Sequence, residues 1–203
     1  DTAKATALRN AEEAVTKLEA ELAAGPTAAR KTAIEAELLN KREALLDLKI
    51  AREREALKLL SGRPKEEAVG RIAALNAERK EIAAVRSETA LKAAVQDLEA
   101  AKLDPARKGE VAGLEALVAQ RQRTHNQTEG VALKAKLDAE KRRLALATDV
   151  AEQTAAKRSV DTLSSQLKIN EKQALHFKAL DDVAAAQTAY DNTSKKGSST
   201  TAE

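Results

Sequence analysis

The chain has 203 residues, with 35 Lys and Arg against 32 Asp and Glu, and a net charge of +3. It contains no Cys, Met or Trp, one Phe and one Tyr, which excludes disulfide, thiolate-metal and cysteine-nucleophile chemistry. Ala, Glu, Lys, Leu and Arg fill 127 of the positions, and Gly and Pro only 7 and 3, a composition of long helices rather than sheets.

Of the apolar residues 45 are Ala, and only 41 are Leu, Ile, Val or Phe, so any core is slender. The near-balance of charge among strong helix formers favours ordered helix over disorder. No stretch approaches the roughly 18 uninterrupted apolar residues of a membrane span. The opening Asp1-Thr2-Ala3, with no Met anywhere and no signal peptide, reads as a processed or excised product.

A first helical tract spans about residues 2–60, interrupted at Gly25-Pro26, with Leu8, Ala11, Val15, Leu18 and Leu22 at 3-4 spacing. Ile34, Leu38, Leu45 and Leu48 continue that seam. Ser61-Gly62-Arg63-Pro64 is a strong break, a Gly stop followed by a Pro near the next helix start. The second tract, 65–123, is interrupted at Asp104-Pro105 and Gly109. The polar run Thr124-His125-Asn126-Gln127-Thr128-Glu129-Gly130 reads as the second turn, and the third tract covers 131–192. There Val160, Leu163, Leu167, Leu180 and Val183 carry the seam.

Three tracts of similar length, joined by short turns, predict an all-α fold. It is an elongated antiparallel three-helix bundle about 90 Å long, with coiled-coil-like packing. Kinks are expected near Gly25-Pro26 and Asp104-Pro105, which fall at similar height; true turns there would give four or five shorter helices. Residues 1–192 are expected to form one elongated helical-bundle domain, and 193–203 a flexible Ser/Thr-rich tail.

The chain carries no Gly-rich phosphate loop, nucleophile elbow or Glu-x-x-His pair. The expectation is therefore no catalytic, cofactor or metal site. His125 and His176 are expected to be ordinary exposed or half-buried side chains. A mildly basic end is expected between Arg121 and Arg143, but without interleaved aromatics it does not suggest nucleic-acid binding. Two sequons, Asn126-Gln127-Thr128 and Asn192-Thr193-Ser194, fall in expected irregular segments and make Asn126 and Asn192 candidate N-glycosylation sites.

The Ala/Glu/Lys helices up to Tyr190, followed by Lys195-Lys196-Gly197-Ser198-Ser199-Thr200-Thr201-Ala202-Glu203, resemble the alanine-rich surface proteins of trypanosomes. Their type is the glutamic-acid/alanine-rich protein. The resemblance implies a non-enzymatic coat protein on the cell surface, among like neighbours, held by a C-terminal glycosylphosphatidylinositol anchor outside this chain. In a three-helix rod, the Ser61–Pro64 turn would face the membrane and the Asn126 turn would face outwards. The alternatives are a helical receptor for a host protein and the receptor-binding or translocation coiled coil of a colicin-like bacteriocin. A cytoplasmic coiled-coil scaffold is a further one.

Overall fold

The structure is a computed structural model; it describes residues 2–199, with side chains described for 2–193. All its regular elements are helical: α1 Thr2–Ala23, α2 Ala28–Leu57, α3 Gly62–Leu103, a 3-10 helix Pro105–Glu110, α4 Val111–Leu146 and α5 Val150–Ser199. The expectation of three helices is therefore corrected to five. The longest helix, α5, has 50 residues, about 75 Å at 1.5 Å per residue, and α3 packs on the 36 residues of α4, about 54 Å, against the 90 Å of the three-helix rod.

Both expected kinks are turns. At the first, Gly25 takes φ +74°, a left-handed conformation that suits Gly, and Pro26 prevents α1 from continuing. At the second, Asp104 is extended and its Oδ1 accepts a 2.9 Å bond from the Ala106 N–H. Arg107 ties this tip together, with Nη1 2.9 Å from Asp97 and Nη2 2.7 Å from Glu110. Those two hydrogen bonds hold the guanidinium pKa above its ordinary value.

The Ser61–Pro64 break is where the sequence places it, with Gly62 at φ +60°. The polar run 124–130, by contrast, lies inside the unbroken α4. The last turn falls at Ala147-Thr148-Asp149, where Asp149 Oδ1 accepts from the Ala151 N–H at 2.6 Å. Helix α5 continues to Ser199, so residues 193–199 of the expected tail are helical. Residues 200–203 lie outside the described residues.

Neighbouring helices run in opposite directions, as their ion pairs show. Glu12 meets Lys49 at 3.3 Å and Glu19 meets Arg42 at 2.7 Å, so partner numbers fall along α2 as they rise along α1. The same inversion links Glu43 with Arg86 and Glu53 with Arg71 across α2 and α3. It links Glu81 with Lys136 and Lys102 with Glu115 across α3 and α4. Among the described residues each helix makes its close backbone approach to its chain neighbours only. The fold is an open serial array rather than a closed three-helix bundle, with α1 and α5 as its free edges.

The buried residues are few, larger between α1 and α2 and mostly Ala along α3. One cluster, Val15, Leu18, Ile34 and Leu38, staples α1 to α2, with Leu22 and Leu45 packed against it. Along α3 the buried residues are Ala68, Ala77, Ala94 and Ala101 with one larger side chain, Ile82. Such small side chains let α3 and α4 approach closely. The expected seam fails at its end: Leu180 is 48% and Val183 68% exposed.

Because Ile34 is fully buried, Ile34→Ala should cost about 3 kcal/mol in chemical denaturation. Leu59→Ala, at a residue 89% exposed, should stay within about 0.5 kcal/mol of the parent. Equal effects would contradict this placement of the α1–α2 core.

Candidate functional site

The most elaborate polar site is the segment that the sequence reads as a turn. Helix α4 is flanked on both sides, by α3 and α5, so residues 124–130 face two neighbours at mid-length. Asn126 and Asn170 are each 6% exposed. Asn126 Nδ2 donates to the backbone carbonyl of Asn170 at 3.2 Å, and Asn170 Nδ2 donates to that of Asn126 at 2.9 Å. Gln173 Oε1 also accepts from Asn126, and Glu129 Oε2 from Asn170, at 3.2 and 3.1 Å. Helical carbonyls are normally occupied by their own helix, so each accepts with its second lone pair. A buried amide left unpaired would cost about 1–3 kcal/mol, so the two residues act as one reciprocal lock.

Gly130 makes the lock possible. A Cβ built there would lie 2.5 Å from Asn170 Oδ1 and 3.4 Å from its Cγ. This glycine therefore marks a close approach of α4 to an α5 side chain, not the end of a helix.

On the other flank of α4, Ser87 of α3 lies with its Oγ 2.6 Å from Thr128 Oγ1 and 3.2 Å from His125 Nδ1. The Ser87 hydroxyl also lies 2.7 Å from the Ala84 carbonyl. His125 is half-buried in this interface. Nearby, the Lys92 ammonium holds the Glu88 carboxyl below its ordinary value, first by hydrogen bond and then by charge, with His125 a smaller contribution. A carboxyl lowered in the fold stabilises it above the unfolded pKa and loses that effect as pH falls through the lowered value. Glu88 is largely open to solvent, so screening keeps this contribution small.

The candidate residues named from sequence are dispersed. Asn126 is corrected from an exposed turn to a buried lock, and a glycan on its Nδ2 is incompatible with the bonds that atom makes. Asn192 is exposed on α5. His176 is exposed and stands beside Phe177, ring centroids 6.2 Å apart. The expected basic end is instead a run along the side of α4. There Arg123 pairs with Asp181, Lys136 with Glu81, and Arg143 with Glu152.

Asn170 and Ser87 were not singled out from the sequence, and Gly130 was read as the close of a turn. Ser87 offered a signal, a hydroxyl between Ala83, Ala84, Ala90 and Leu91 on one helical stripe, whereas Asn126 stands among Gln122, Arg123, Glu129 and Gly130. A groove of about 430 Å³ opens beside the lock, bordered by Arg123, Val131, Lys134, Leu167, Phe177 and Asp181. Among the described residues no group of three His, Asp or Glu is placed to hold a metal ion, and no helix is long and apolar enough to cross a membrane.

Gly130→Ala should destabilise the chain by about 2 kcal/mol despite the better helix propensity of Ala. Asn170→Ala should cost about 1–3 kcal/mol. In the Asn170→Ala background Gly130→Ala should turn neutral or stabilising by up to about 1 kcal/mol, because the obstructing amide is gone. Additive effects in a denaturation double-mutant cycle would contradict the lock. No family model matches this chain, and no curated protein or solved structure matches it.

Proposed function

We propose that this chain is a non-enzymatic structural protein of a cell surface, a helical coat or spacer element held by a lipid anchor beyond its C-terminus. The observation that carries the structural part is how the polar groups are used. The buried amides of Asn126 and Asn170 bond each other's helices, and ion pairs join each helix to the next along the array. That chemistry serves shape. The anchored-coat part rests on the likeness in composition and tail to alanine-rich surface proteins.

Five helices running alternately up and down put the two ends of the chain at opposite ends of the array. Residue 2 shares an end with the 58–61 and 147–149 turns, and α5 runs to the end that holds Gly25-Pro26 and Asp104–Glu110. An anchor following α5 therefore sets the Gly25-Pro26 turn and the Asp104–Glu110 tip towards the membrane. The Ser61 and Thr148 turns then point outwards. This reverses the orientation that three helices would give, which set Ser61–Pro64 towards the lipid.

The test is an epitope tag placed after Thr148 in the full coding sequence. Antibody should stain intact cells, and a phosphatidylinositol-specific phospholipase should remove the staining. Staining that appears only after permeabilisation contradicts a surface protein, and staining that resists the phospholipase contradicts the anchor.

A further inference from the structure

The two ends of the array carry opposite charge. At the end holding the 58–61 and 147–149 turns, residues 2–9, 51–71 and 137–159 contain 13 Lys and Arg against 8 Asp and Glu. At the other end, residues 16–36, 94–120 and 181–199 contain 8 against 11. The whole chain carries only +3, so its positive potential is concentrated at one tip. Several acids there are already answered within the fold: Glu53 by Arg71, Glu55 by Lys4, Glu67 by Arg63 and Glu152 by Arg143. Arg54, Lys58, Lys65, Lys141 and Arg142 are exposed and stand outside those pairs.

The same tip presents large apolar side chains, Leu59 at 89% and Val150 at 77% exposure. The two turns that carry them end at one height, because Arg63 at the start of α3 donates to the Leu146 carbonyl at the end of α4, at 3.2 Å. Leu103, 85% exposed at the other end, stands instead beside Asp104 on the acidic side.

We propose that the basic tip docks on an anionic phospholipid bilayer, with Leu59 and Val150 entering the headgroup layer and the surrounding Lys and Arg facing its charge. A flat bilayer meets both turns at once and takes up apolar side chains; a soluble polyanion such as heparin matches the charge alone. Each Lys or Arg close to an anionic surface strengthens binding about 5-fold, and the attraction fades beyond about 8 Å. The acidic end is repelled by the same surface, so the array stands on its basic tip. With an anchor beyond α5 this tip meets an apposed membrane, but the docking itself does not rest on that reading.

The purified chain should float with vesicles of phosphatidylserine and phosphatidylcholine, not with phosphatidylcholine alone, and should be released at about 1 M salt. Lys58→Glu with Lys65→Glu should weaken binding by at least about 10-fold. Lys17→Glu with Lys108→Glu, the same change of net charge placed away from the tip, should leave it within about 2-fold. An environment-sensitive fluorophore on Leu59→Cys should shift to the blue with vesicles, and one on Leu103→Cys should not. The proposal is overturned by a chain that does not bind these vesicles, including one that binds heparin only. Equal loss in the two double variants, or a Leu59 fluorophore that stays in water, also overturns it. Each outcome is read on the free chain, so it is separate from the cell-surface staining that tests the anchor.

Discussion

The Asn126–Asn170 lock is the interaction on which the far half of the array depends. Small seams pack tightly but specify little, because one Ala face resembles another. Helix α5 offers α4 two faces. The face it uses holds Ala156, Leu163, Leu167, Asn170 and Phe177; the other holds Ile169, Leu180, Val183 and Tyr190. Before Ile169 the unused face carries Arg158, Thr162 and Ser165, so burial selects the packed face there; from Ile169 onwards both faces hold apolar residues, and burial alone does not select between them. Two amides that reach each other's carbonyls do, because turning α5 would leave both unpaired in a buried site. Polar groups that sacrifice some stability for a unique arrangement are known in helical assemblies.

Nearer the N-terminus the selection is made differently. Helices α1 and α2 meet through Val15, Leu18, Ile34 and Leu38, larger side chains whose shapes specify their own register. Ion pairs such as Glu12–Lys49 and Glu19–Arg42 flank that core and add little individually, but all agree on the same antiparallel pairing. Between these regions α3 packs on α4 through alanines, with Ser87, Thr128 and His125 forming the polar side of that interface. A thin core is thus supplemented by shape at one edge and by hydrogen bonding at the other.

The helical class was legible from composition, and so were the breaks at Gly25-Pro26, Ser61–Pro64 and Asp104-Pro105, because Gly and Pro act on the backbone locally. Whether a Gly-Pro pair kinks or turns the chain depends on what the next segment can pack against, which is not local. The run from Thr124 to Gly130 misled because polarity was read as exposure. In a helix with neighbours on two sides, polar residues can face protein, and a glycine can mark a close approach. The turn at 147–149 carries neither Gly nor Pro. Its signal was the Asp149-x-x-Glu152 spacing of a helix start, easily lost among so many carboxylates. Asn170 had no signal of its own, since its meaning lies in a partner 44 positions away.

The central claim, that the lock decides which face of α5 meets α4, has a direct test in a chain that contains no Cys. Nitroxide labels on Gln120→Cys and Lys178→Cys report the spacing of the two helices beyond the lock. The parent should give one narrow distance distribution, and the Asn126→Leu, Asn170→Leu variant should give a broadened or second population while remaining helical. An unchanged single distance in that variant would contradict the claim.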